Sequence, residues 1–175
     1  MNGKNTDENQ IRKLKQGASI AIVMGSDSDW TIMKGAKDIC DEFQVTTLVE
    51  VLSAHRTPRD LHYFTKNAEE SEIKIIIAGA GGAAHLPGML ASHTIIPVIG
   101  VPLNRTSLNG IDSLLSIVQM PRGIPVAVVA IDQATNAGLL ALQILALGDE
   151  NLKKQLQIYR QTMERDSRKK TINLI

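Results

Sequence analysis

Aromatic residues make up only 3% of the chain, too few to build the platforms on which single-stranded nucleic acids stack. An excess of one charge is missing as well: 19 Lys and Arg stand against 18 Asp and Glu, which leaves no field to hold DNA, RNA or an anionic membrane. Nucleic acid and membrane are thereby excluded as partners. The single cysteine, Cys40, has no intrachain partner, which suits a reducing, cytoplasmic setting. Long apolar runs are absent too. The longest, Ala137 to Leu147, is interrupted by Gln143 and too short for a bilayer, and the polar segment Met1 to Gln16 lacks the apolar centre of a signal peptide.

What the chain does have is a core. Its 175 residues, 43% apolar, fit one globular domain. Residues 1–17 carry no apolar periodicity and read as a flexible arm, 18–165 as a single catalytic domain including the last helix, and 166–175 as a tail holding the Arg168-Lys169-Lys170 run. Short continuous apolar runs, expected of parallel strands buried on both faces, occur at Ser19–Met24, Val45–Leu52, Lys74–Gly79, Ile96–Val101 and Val126–Ile131. Helical spacing separates them, at Trp30–Phe43, at Pro58 to about Glu72, near Met89 to His93, and at Ile111–Gln119. Strands alternating with helices predict a three-layer α/β/α fold with a five-stranded parallel sheet, flavodoxin-like, in the order 2-1-3-4-5. After the fifth strand, Asn136–Leu147 is apolar on nearly every face, which predicts cover from another subunit and hence an oligomer. The final helix, about Asp149 to Arg165, aligns Leu152, Leu156, Tyr159 and Met163 as one stripe.

Ligands in open parallel sheets bind outside the carboxyl ends of the strands, and three turns there carry unusual residues. Gly25-Ser26-Asp27-Ser28-Asp29 offers backbone N–H groups and two hydroxyls suited to an anion, with Asp29 better matched to ribose hydroxyls. Ser53-Ala54-His55-Arg56-Thr57-Pro58 sets an imidazole, able to exchange protons near neutral pH, beside a fixed cation. The third, between Gly79 and Gly88, is rich in glycine and contains His85. His85 and His93 have no cysteine or carboxylate to complete a metal-ligand spacing, so no metal site is expected. No G-x-S-x-G elbow is present, which leaves a serine triad unsupported. An FMN carrier would need rings that the composition does not supply, and a phosphoacceptor receiver would need an aspartate where Gly79 to Gly82 stand.

Four segments in order, Met24-Gly-Ser-Asp-Ser-Asp-Trp30, Ser53-Ala-His-Arg-Thr-Pro58, Ala78-Gly-Ala-Gly-Gly-Ala-Ala-His-Leu-Pro-Gly-Met89 and Asp112-Ser-Leu-Leu-Ser-Ile-Val-Gln-Met-Pro121, resemble the PurE family of purine biosynthesis. The resemblance covers about Ile20 to Leu147. One class of that family isomerises N5-carboxyaminoimidazole ribonucleotide to 4-carboxy-5-aminoimidazole ribonucleotide. The other carboxylates aminoimidazole ribonucleotide directly with CO2 and typically carries Lys-Gly-Pro after the histidine. The His55-Arg-Thr-Pro58 segment is similar to the mutase class.

The resemblance implies a catalytic His55, nucleotide contacts from Ser26, Asp29 and Arg56, and Ser28, Ser53 and His85 near a small ribonucleotide substrate. Gly81 and Gly82 fall in the expected pocket wall, Gly79 to Met89, whose N–H groups would face the substrate carboxylate. It also implies a homo-octamer with sites completed by neighbouring chains. The chemistry moves CO2 without oxidation and requires no cofactor and no metal. The sequence departs from the family pattern at Asn104-Arg105, in a loop where smaller polar residues are typical, and at Val128; no pocket role is assigned to Leu103–Ser107.

Overall fold

The computed structural model describes residues 17–172; the expected arm over 1–17, apart from Gly17, and the last residues of the expected tail, 173–175, lie outside the described residues. Five strands form one parallel sheet: β1 (Ile20–Met24), β2 (Thr47–Val51), β3 (Ile75–Gly81), β4 (Val98–Leu103) and β5 (Ala127–Val128), in the order β2-β1-β3-β4-β5. The helices are α1 (Trp30–Glu42), α2 (Pro58–Glu69), α3 (Leu86–His93), α4 (Ile111–Val118), α5 (Ala134–Leu145) and α6 (Glu150–Ile172). The flavodoxin-like order expected from the alternation is the one observed.

Successive strand residues face opposite ways, and the central strands supply two cores. Ile20, Ile22 and Met24 of β1 join Ile75 and Ile77 of β3 in a cluster closed by α1, α5 and the start of α6. Ala21 and Val23 join Ile76 and Ala78 in a second cluster with Leu61, Phe64, Leu90 and Ile117 from α2, α3 and α4. Burying each isoleucine contributes roughly 1.5–3 kcal/mol, so the sheet's central strands anchor everything around them.

At their carboxyl ends three strands differ from the sequence reading by two residues or more, and β3 runs to Gly81 rather than Gly79. β4 starts later and runs to Leu103, past the point where a loop was expected at Pro102. β5 keeps two ladder residues of the expected Val126–Ile131. β4 extends because its last residues pair with β3, Pro102 beside Ala80 and Leu103 beside Gly81. On its other edge Pro102 has no N–H to give to β5, and only single bonds continue from Val129 N–H to the Gly100 carbonyl and from Asp132 N–H to the Pro102 carbonyl.

At the α1–α5 contact, small residues let two backbones approach. A β-carbon on Gly138 would come within 2.3 Å of Ile39 Cγ2 and 3.0 Å of the Ala36 carbonyl oxygen. Ala134, Ala137, Gly138, Ala141 and Leu142 are buried there, while Leu139, Leu140, Ile144 and Leu145 are half-buried. Much of the all-apolar character of this helix is therefore satisfied within the chain. In α6, Leu152 and Leu156 are buried and Tyr159 packs edge-on against Phe43 with ring centroids 5.5 Å apart, whereas Met163 is exposed. The helix continues beyond the expected Arg165, so Arg168-Lys169-Lys170 lies on a helical surface rather than in a loose tail. Pairs spaced for helical contact, Arg168 with Glu164 and Lys169 with Asp166, accompany that extension. Among the described residues no helix is long and apolar enough to cross a membrane.

Candidate active site

The parallel order brings the ends of β1, β2, β3 and β4 to one crevice. After β1, residues Gly25–Asp29 close a capping box around a short turn of 3-10 helix: Ser28 N–H donates to Ser26 Oγ at 3.4 Å and Ser26 N–H to Asp29 Oδ2 at 3.1 Å. Ser28 N–H also donates to Asp27 Oδ1 at 2.9 Å, and the Ser28 hydroxyl to Ser26 Oγ at 3.0 Å. N–H groups expected to be open to an anion are thus held by the turn's own side chains.

Thr57 folds the β2–α2 turn back on itself, its hydroxyl accepting from Ser53 N–H at 3.2 Å before Pro58 opens α2. Ser53 Oγ accepts from Arg56 N–H at 3.2 Å and from Arg56 Nε at 3.0 Å. Arg56 Nη2 then reaches the Gly25 carbonyl at 3.2 Å. Ser53 therefore aims Arg56, and Arg56 ties the second turn to the first.

His55 is exposed and meets His85 from the third turn, Nε2 to Nδ1, at 2.8 Å with the rings nearly perpendicular. One nitrogen must donate and the other accept, so this contact holds one proton between two imidazoles. Gly82 adopts φ +64°, a left-handed conformation that favours glycine. Its N–H, expected to face a substrate carboxylate, instead donates to the buried Ser113 Oγ at 2.8 Å, and that hydroxyl donates to the Leu103 carbonyl at 2.8 Å.

Every expected residue, Ser26, Ser28, Asp29, Ser53, His55, Arg56, Gly81, Gly82 and His85, lies on these linked turns. Sequence reasoning missed the fourth strand's part. Arg105, in the loop after β4, donates from Nε to Asp29 Oδ1 at 3.0 Å and from Nη2 to the Ser28 carbonyl at 2.6 Å. Its stem lies over Gly81, where a β-carbon would come within 2.4 Å of Arg105 Cγ. The available signal was topological, because a charged residue following a strand next to β3 must face the same crevice. Among the described residues no group of three or more His, Cys, Asp or Glu is placed to hold a metal ion. A cavity of about 670 Å³ lies elsewhere, at the amino ends of β4 and β5, lined by His93, Thr94, Ile95, Pro97 and Ile124. It contains none of the residues of the linked turns.

The family model described as AIR carboxylase matches residues 19–166. The N5-carboxyaminoimidazole ribonucleotide mutase of Pyrococcus abyssi is 58% identical over 146 residues, covering 83% of this chain and 84% of that protein. The Escherichia coli protein of the same name is 56% identical over 145 residues, covering 82% and 86%. A crystal structure of Treponema denticola PurE superposes with a TM-score of 0.78 at 27% identity, covering 84% of this chain and 92% of that one. With the family model spanning nearly all the described fold and three of the four motif segments forming turns that meet at one crevice, the chain belongs to the AIR carboxylase (PurE) family.

Proposed function

We propose that this chain is an N5-carboxyaminoimidazole ribonucleotide mutase, an isomerase that moves the carboxyl group from the exocyclic nitrogen of its substrate to ring carbon C4. The mutase names and high identities of its relatives support that activity. The observation that carries the mechanism is the 2.8 Å contact between His55 and His85 at the crevice.

In this mechanism the N–C bond of the carbamate breaks and CO2 is released while the exocyclic nitrogen takes a proton from His55. The enamine-like C4 then attacks CO2, and His55 removes the C4 proton, so the enzyme returns to its starting protonation state. His85, across the shared hydrogen bond, holds the His55 ring in place. Ser26, Ser28, Asp29, Ser53 and Arg56 bind the ribonucleotide, and the Gly81–Gly82 segment lines the wall. Confinement of CO2 supplies much of the rate, since a reactant held in place acts at very high effective concentration. The protein's own residues provide positioning and proton transfer, and the isomerisation requires neither cofactor nor metal.

The enzyme works as a cytoplasmic homo-oligomer, an octamer by family resemblance, with neighbouring chains completing its sites. An exposed apolar stripe supports association: Ile111, Leu115 and Val118 are each about half exposed at helical spacing along α4, and Leu108 is exposed in the turn before it. Light scattering on the eluting protein tests the subunit count, and a monomer would overturn the assembly. For the activity, substrate labelled with 13C in the carbamate is incubated with unlabelled bicarbonate. Retention of the label in the C4-carboxy product is the expected result. Complete loss of label to the bicarbonate pool would point to carboxylation from free CO2 instead.

A further inference from the structure

The loop from Asn104 to Gly110 carries one charged residue, Arg105, and that residue reaches back to the first turn of the crevice. Its guanidinium bonds the Asp29 carboxylate and the Ser28 carbonyl, and its stem lies against the position of Gly81. Three of the residues expected to bind substrate are therefore touched by one side chain outside the expected set. Arg56 holds the other end of the same turn through the Gly25 carbonyl, so two guanidiniums straddle Gly25–Asp29.

Charge gives this arrangement a purpose beyond bracing. The turn carries two carboxylates, Asp27 and Asp29. With Arg56 alone the mouth has net negative charge and repels an anion; with Arg105 the carboxylates are balanced. The Asp29 side chain is 8% exposed and Arg105 32%, so the pair is shielded enough from water for that balance to act strongly on a neighbouring ion. Arginine also suits the task because its donors form a planar fork that bonds carboxylate, carbonyl and phosphate oxygens in fixed directions.

We propose that Arg105 is a positioning residue for the anionic end of the substrate: with Arg56 it brackets the first turn, offsets Asp29 and draws the phosphate into place. This deepens the proposed mutase reading and rests on its phosphorylated substrate. Arg105 does not take part in proton transfer.

The test compares wild type with Arg105→Ala, Arg105→Lys and the double variant Arg105→Ala with Asp29→Asn. Steady-state kinetics on the N5-carboxy nucleotide are measured alongside calorimetric binding of ribose 5-phosphate. Arg105→Ala is expected to raise KM and the ribose 5-phosphate Kd about tenfold, the scale of one lost charge-assisted hydrogen bond, with kcat within about twofold. Arg105→Lys, which keeps the charge without the fork, falls between, and the double variant, read with inorganic phosphate because Asp29 itself faces the ribose, regains part of the phosphate affinity by removing the unbalanced carboxylate. If Arg105→Ala lowers thermal stability or kcat while KM and Kd stay put, Arg105 is only a brace and the proposal fails. Should the alanine variant not fold, unchanged KM and Kd in Arg105→Lys with loss of thermal stability would overturn it equally. Wild type that binds ribose 5-phosphate in an Arg105-dependent way yet does not convert the N5-carboxy nucleotide would sink the mutase reading and leave this role standing. Active wild type with unchanged Arg105→Ala binding would do the reverse.

Discussion

Gly81 in the crevice and Gly138 at the α1–α5 contact both stand where a β-carbon would collide, but the colliding groups differ. At Gly81 the nearest atoms are Cγ and Cβ of Arg105, at 2.4 and 2.8 Å, held by the loop after β4. At Gly138 they are a packed isoleucine and the backbone of the facing helix. The crevice uses the missing side chain to seat the root of a charged side chain, whereas the helix contact uses it to bring two rigid backbones together. Disturbing the first region should change what the protein does, and disturbing the second should change how well it holds together.

The strongest test of that division is His55→Asn. General acid–base catalysis typically contributes about 10²–10⁴-fold, so kcat should fall by that much while ribose 5-phosphate binding and thermal midpoint stay near wild type. A parallel collapse in stability would place His55 with the core instead.

Next in size is Gly138→Ala. Better helix propensity offsets about 1 kcal/mol, but overpacking against a facing backbone costs about 1–3 kcal/mol. Thermal denaturation should show a midpoint lower by a few degrees, with kcat and KM unchanged. Gly81→Ala sharpens the contrast, since the loop carrying Arg105 must shift to make room and its guanidinium is drawn off Asp29: KM should rise severalfold, with a smaller fall in the midpoint than Gly138→Ala gives. If the two alanine variants gave the same profile, the division would fail.

Cys40 gives the smallest effect. Burial, aided by the charge of Asp41 and opposed by Lys37, pushes its thiol up to about 12 from an ordinary 9.0. Because the folded thiol keeps its proton where the unfolded one loses it, its contribution to stability falls as pH rises from about 9 towards about 12. Alkylation at pH 8 should be slow in the folded protein and fast in denaturant. Rapid labelling of the native state would contradict the burial.

The fold was largely legible because apolar runs and capping turns are local signals. Strand order followed from the alternation, and Pro58 marked the first turn of α2, although Thr57 before it makes no side-chain cap and turns back to Ser53 instead. The end of β5 was not legible, since the missing donor that stops its ladder belongs to Pro102 on another strand. In the crevice, motif residues could be named one turn at a time, but their partners could not. Sequence separation hides that Gly82 N–H is held by Ser113 and that Asp29 is paired with Arg105. The second link depends on a loop whose residues depart from the family pattern, so resemblance pointed away from it.

The most direct measurement of the central claim is a rate comparison with purified protein, without ATP or added metal. The account predicts that the N5-carboxy nucleotide is converted to the C4-carboxy product much faster than aminoimidazole ribonucleotide is carboxylated with bicarbonate. Activity only with the decarboxylated nucleotide and CO2 would contradict it.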